Sequence, residues 1–164
     1  MYQLYYSPGA ASLVVHWMLI ELGLPYELKK LDFSKKEHKT PEYLALNPNG
    51  VVPTLVVGGA PMFEAAALIT FLADCKPEAG FAPKLSSLDR GKYYQWMFFL
   101  ANTLQPPFRS WWYPEEAAGE ENSEAAKEHA RIKIASIFSM LHVHLAANGS
   151  YMLGEKVSVV DFML

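Results

Sequence analysis

The sequence predicts an α/β domain built on a mixed four-stranded sheet, followed by an all-helical domain. Three observations carry this prediction. Residues 1–75 alternate short apolar runs with Gly and Pro punctuation, in the order β-α-β-α-β-β-α. Residues 76–85 contain Pro77, Gly80 and Pro83 and read as a linker. Residues 86–164 are patterned as long helices and carry three of the four tryptophans.

Each element has its own signal. Tyr2 to Tyr6 is a short apolar strand stopped by Ser7-Pro8-Gly9. A helix follows from about Ser12, with Leu13, Trp17, Ile20 and Met18 assigned to its inner face. Gly23 stands where a helix C′ residue belongs, and Pro25 blocks continuation. Tyr26 to Leu31 is the second strand. Thr40-Pro41-Glu42 reads as an N-cap and an N1 proline for a short helix to about Leu46. Asn47-Pro48-Asn49-Gly50 is a turn, and Thr54 to Phe63 a hairpin through Gly58-Gly59. A helix from Glu64 to Ala73 completes the first domain. Strand–helix–strand at the start implies a parallel pair with a right-handed crossover, and the hairpin adds an antiparallel edge.

In the second half, Ser86-Ser87-Leu88-Asp89 can start a helix toward Leu104, which Pro106-Pro107 must break or bend. A further helix spans Asn122 to Asn148-Gly149, with Ile134, Ile137, Phe138, Leu141 and Leu145 on its buried face. Ser158-Val159-Val160-Asp161 is a helix-start box, yet the chain stops at Leu164, before a full turn is expected to close. The second domain therefore reads as incomplete, a truncated chain.

Composition excludes several function classes. The chain is 51% hydrophobic and 19% charged over 164 residues, an ordinary globular balance. A net charge of −3 and a pI near 5.9 give no basic footprint for nucleic acid or an anionic membrane. No apolar run approaches the roughly 18 residues of a membrane span. One cysteine, Cys75, fits a reducing compartment, and a cytoplasmic location is expected. His142 and His144 lie about 200° apart on a helix and cannot share a metal; no metal cofactor is expected.

The sharpest signal is Asn47-Pro48-Asn49-Gly50-Val51-Val52-Pro53-Thr54-Leu55, with Glu64-Ala65 following. A proline entering a strand is costly unless its bond or its edge position is special. If Val52-Pro53 is cis, the backbone N–H and C=O of Val52 become an edge for a peptide-like ligand. Glu64-Ala65 then offers helix N-terminal amides to a carboxylate.

On these residues the chain resembles the glutathione transferase superfamily, and its opening Leu4-Tyr5-Tyr6-Ser7-Pro8-Gly9-Ala10-Ala11-Ser12 is most similar to the bacterial beta class. The resemblance covers essentially the whole chain. It implies a thioredoxin-like glutathione-binding domain over residues 1–75, the linker, and an all-α domain over 86–164. It also implies a cytoplasmic homodimer active in detoxification, with glutathione as co-substrate. Val52 and Pro53 would meet the cysteinyl backbone, Glu64 and Ala65 the γ-glutamyl end, and Lys36 the glycyl carboxylate, although Lys35 and Lys36 can equally be a solvated pair without a ligand. A small hydrophobic electrophile would sit on Phe108, Trp112 and Tyr113, residues that can equally serve packing.

A thiol with a pKa near 8.5 is mostly protonated at neutral pH. Lowering that pKa by about two units takes about 2.7 kcal/mol, within reach of one charge-assisted hydrogen bond and a helix dipole. Tyr5, Tyr6, Ser7 and Ser12 are the candidate donors. Ser12, at the helix start, is the first choice, although it can also be a plain cap. Tyr6 is the second, although it can also be a core aromatic, and Tyr5 should face the other way. Three departures from the family pattern stand out: Ala11 where beta-class members carry cysteine, Gln105 near their histidine, and Ala65 where a serine is common. The expected activity is transfer of the glutathione thiolate to the electrophile. A non-catalytic interaction or stress-regulatory module is the alternative, and another glutathione-dependent reaction, dehalogenation or isomerisation, a third.

Overall fold

A computed structural model describes all residues 1–164. The chain divides into two compact units, Met1–Ala82 and Pro83–Leu164.

In the first unit, β1 (Tyr2–Tyr6), β2 (Tyr26–Lys30), β3 (Thr54–Val57) and β4 (Ala60–Phe63) form one sheet in the order β2-β1-β3-β4. β1 pairs with β2 in parallel and with β3 antiparallel, and β3 with β4 antiparallel. The helices are α1 (Ser12–Glu21), α2 (Pro41–Leu44) and α3 (Ala65–Cys75). α1 ends as the sequence requires. Gly23 takes φ +59°, its N–H bonds Ile20 O at 2.9 Å, and Leu24 N–H bonds Leu19 O at 3.0 Å, the paired bonds of a Schellman motif. Gly58 and Gly59, both at positive φ, turn the β3–β4 hairpin.

The inner face of α1 differs from the expectation. Leu13, Trp17 and Ile20 are exposed, and Ser12, Val15, Met18, Leu19 and Leu22 are buried. Both stripes are helically spaced, because α1 is apolar nearly all round. Periodicity cannot choose a face in such a helix; packing against β1 and α3 does.

The second unit holds α4 (Asp89–Phe99), α5 (Gln105–Trp112), α6 (Pro114–Ala118), α7 (Ser123–Asn148) and α8 (Val159–Met163). Pro106-Pro107 do not break the chain's helical path. A wider π-helical turn over Leu100–Leu104 joins α4 to α5, and the prolines fall in the first turn of α5, where a missing N–H costs least. α7 runs from Ser123 to Asn148, with Gly149 beyond it at φ +122°. Ile137 and Leu141 are buried in it, whereas Phe138, assigned to the inner face, is 42% exposed and meets Phe108 edge-on at 6.3 Å. α8 closes despite the expectation that no full turn would form, and Leu164 N–H bonds Val160 O at 3.2 Å. The Asp161 carboxylate gathers Ser158 N–H and Met152 N–H at 2.7 Å each, and the Ser158 hydroxyl at 2.9 Å. No helix is long and apolar enough to cross a membrane.

Candidate functional site

Strand register gathers the predicted residues at one end of the sheet. Tyr5 lies opposite Thr54, Thr54 opposite Phe63, and Tyr6 opposite Lys30. The residues flanking these ends are Ser7, Pro53 and Glu64. Tyr6, Ser12, Val52, Pro53, Glu64 and Ala65 therefore share one edge of the first unit, joined by the turn that carries Lys36.

The Val52-Pro53 peptide is cis. Val52 lies outside the strands, and its N–H and C=O take part in no backbone hydrogen bond. The preceding residue is tightly held. Val51 O accepts the Tyr43 hydroxyl at 2.6 Å and Asn47 Nδ2 at 2.9 Å. Thr54 Oγ1 meets Tyr43 Oη at 2.7 Å and Asn47 Nδ2 at 3.1 Å. Asn47 and Thr54 are 0% exposed and Tyr43 3%, so this polar cluster is sealed from water. Burial pushes the Tyr43 phenol above its ordinary pKa, against smaller opposite effects of the hydrogen bonds with Thr54 and Asn47. Gly50 is required in the loop. Its φ is +59°, and a Cβ there would lie 2.8 Å from Lys39 Nζ and 2.9 Å from His38 O.

Glu64 precedes α3 at φ +74°, ψ +106°, a region costly for a residue with a Cβ. Its exposed side chain and the free N–H groups of the first turn of α3 stand together. Helix-start residues are legible in sequence, but a positive φ at a glutamate is not.

Of the two preferred thiolate-donor candidates, Ser12 is 1% exposed. Its hydroxyl donates to Ser7 O at 3.2 Å and accepts from Ser7 N–H at 3.3 Å. It therefore pins the β1–α1 loop, and its proton is already engaged. Tyr6 is half-buried, and its hydroxyl has no protein partner. Alternation along β1 puts Tyr2, Leu4 and Tyr6 on one face. Tyr2 meets Cys75 at the C-terminal end of α3, so Tyr6 lies toward the opposite, N-terminal end of α3. Tyr5 does take the other face, its ring 5.5 Å from that of Tyr43.

Lys36 is exposed at φ +56° in the turn after β2, and Lys35 pairs with Asp32 at 3.7 Å. Phe108, Trp112 and Tyr113 belong to the second unit. Trp112 is 66% exposed and T-stacked on Trp111, and the Arg109 guanidinium lies 5.4 Å from the Tyr113 ring.

The Tyr43–Asn47–Thr54 cluster was missed in the sequence. Asn47 reads there as a turn residue, and Tyr43 falls inside the short helix that starts at Thr40-Pro41 without a role of its own. The four-residue step between them, with a threonine just past the proline, is the signal that could have found it.

A glutathione S-transferase N-terminal domain family matches residues 10–75. Glutathione S-transferase GST-4.5 of Xanthomonas campestris pv. campestris is 34% identical over 166 residues, covering 99% of this chain and 78% of the relative. A solved glutathione transferase of Methylococcus capsulatus superposes with a TM-score of 0.88 at 32% identity, covering 100% of this chain and 79% of that one. A glutathione transferase homolog of Sulfitobacter, solved with bound glutathione, superposes with a TM-score of 0.88 at 28% identity, covering 99% and 78%. With a thioredoxin-like sheet domain and an all-helical domain in that order, this chain belongs to the glutathione S-transferase family of enzymes.

Proposed function

We propose that the chain binds glutathione at the end of its sheet and adds the thiolate to a small hydrophobic electrophile. The observation that carries this reading is Val52, whose unpaired backbone N–H and C=O offer the two hydrogen bonds an extended peptide needs. The γ-glutamyl carboxylate would dock on the first N–H groups of α3 beside Ala65, and its ammonium on the Glu64 carboxylate. Lys36 supplies a charge for the glycyl end. Tyr6 is the thiolate donor that the free hydroxyl supports, with Ser12 holding the loop beside it. Rate enhancement comes from thiolate stabilisation and alignment, with Phe108, Trp112 and Tyr113 as apolar surface for the electrophile. The family resemblance further supports a cytoplasmic homodimer with a detoxifying role.

Calorimetric titration with glutathione, paired with thiolate absorbance against pH, tests the proposal on the native chain and on Tyr6→Phe and Ser12→Ala. The expected outcome is saturable binding with a thiolate at neutral pH that Tyr6→Phe removes. Loss in Ser12→Ala alone would move the donor to Ser12. No binding at millimolar glutathione in the folded chain would overturn the proposal and favour a non-catalytic interaction module, a reading to which Ala11, Ala65 and Gln105 lend support.

A further inference from the structure

The proton inventory of the buried cluster behind Val52 has one solution. A carbonyl only accepts, so the single Tyr43 hydroxyl proton goes to Val51 O. The short contact between Tyr43 Oη and Thr54 Oγ1 must then be donated by Thr54. The two Asn47 Nδ2 protons go to Val51 O and Thr54 Oγ1, and Asn47 Oδ1 takes Asn49 N–H at 3.1 Å. Every donor is spent, and Val51 O receives two donors, one for each of its lone pairs. A network satisfied in this way has one arrangement, and losing a member leaves buried groups unpaired. Its output is the direction in which the chain leaves Val51, which is the direction of the Val52 edge. Tyr43 grips that edge twice: its hydroxyl holds Val51, while its ring packs with Val52 and Leu31, flanked by Tyr5, Ala10 and Leu46.

We propose that Tyr43, together with Thr54 and Asn47, is the positioning residue that sets the Val52 backbone edge for the γ-glutamyl-cysteinyl peptide. It does not itself touch the ligand. The inference rests on the glutathione-binding reading above.

The test measures the glutathione dissociation constant of the folded chain by calorimetry, with the Val52 amide resonance followed in the same samples. Tyr43→Phe keeps the ring and removes one hydroxyl. Thr54→Val removes the second hydroxyl at equal volume, and Thr54→Ser retains it. The expected result is an approximately tenfold weaker glutathione affinity in Tyr43→Phe and Thr54→Val, with an altered Val52 amide environment and wild-type affinity in Thr54→Ser. A purely structural role would lower the melting temperature and leave the affinity of the folded fraction unchanged, which would overturn the inference. Should Tyr43→Phe fail to fold, the Thr54→Val and Thr54→Ser pair decides alone. Wild-type protein that binds no glutathione would overturn the functional reading and this inference together, whereas unchanged affinity in the variants of a binding wild type would overturn only the latter.

Discussion

Ala65 stands at the first position of α3, where the exposed N–H groups and the helix dipole favour a carboxylate. In the proposed site it would offer amides to the γ-glutamyl carboxylate but no hydroxyl. Ala65→Ser adds a donor at a position where serine is a tolerated helix-start residue, and a hydrogen bond to a charged group contributes about 1.5–3 kcal/mol. Glutathione should therefore bind at least about tenfold more tightly to this variant in calorimetry; unchanged affinity would place the γ-glutamyl end elsewhere. Tyr43 gives a second residue-scale prediction. Burial holds its phenol above the ordinary value, so as pH rises the unfolded chain releases this proton before the folded chain does. The stability gained is fully present below about pH 10 and is lost as pH climbs through the raised folded value. In urea unfolding between about pH 9 and 11, Tyr43→Phe should lose less stability than wild type with each step in pH.

At the scale of elements, α1 shows how packing overrides an ambiguous pattern. Leu19 is 0% exposed and Ile20 53%, although they are neighbours of similar size. Leu19→Ala should cost about 2–5 kcal/mol through the cavity it leaves, and Ile20→Ala no more than about 0.5 kcal/mol. Equal costs in chemical unfolding would mean that α1 sits differently on the sheet. α5 teaches the complementary lesson. Two consecutive prolines argue for a break, but the Leu100–Leu104 turn widens enough for them to enter a new first turn without one.

For the whole molecule, the proposed glutathione edge lies in the first of the two units, so the energy of binding glutathione there would enter through that unit. If the Val52 edge binds glutathione, ligand at a hundredfold excess over its Kd should stabilise the first unit by about 2.7 kcal/mol. Trp96, Trp111 and Trp112 lie in the second unit and only Trp17 in the first. Indole fluorescence therefore weights the second unit, while far-ultraviolet dichroism records both. A glutathione-dependent rise in the thermal transition by dichroism is the expected outcome, and its size relative to the fluorescence transition measures the coupling of the two units. No rise by either probe would contradict glutathione binding.

What the sequence determined by itself was local. Gly23, Gly58-Gly59 and Gly149 marked chain reversals and helix ends, because positive φ is nearly free only for glycine. Thr40-Pro41 began a helix because its cap and its missing N–H suit only that position. The connections implied a parallel β1–β2 pair and an antiparallel hairpin, whereas the order β2-β1-β3-β4, which brings Tyr6, Pro53 and Glu64 to one sheet end, came from the fold. Tertiary structure decided the choices that local chemistry leaves degenerate. It selected the face of the all-round apolar α1 that is buried. It engaged the Ser12 hydroxyl with Ser7 and left that of Tyr6 free, and it closed Tyr43, Asn47 and Thr54 around Val51 O. Those outcomes depend on side-chain contacts that spacing along the chain can suggest but cannot select among, so the folded packing fixed them.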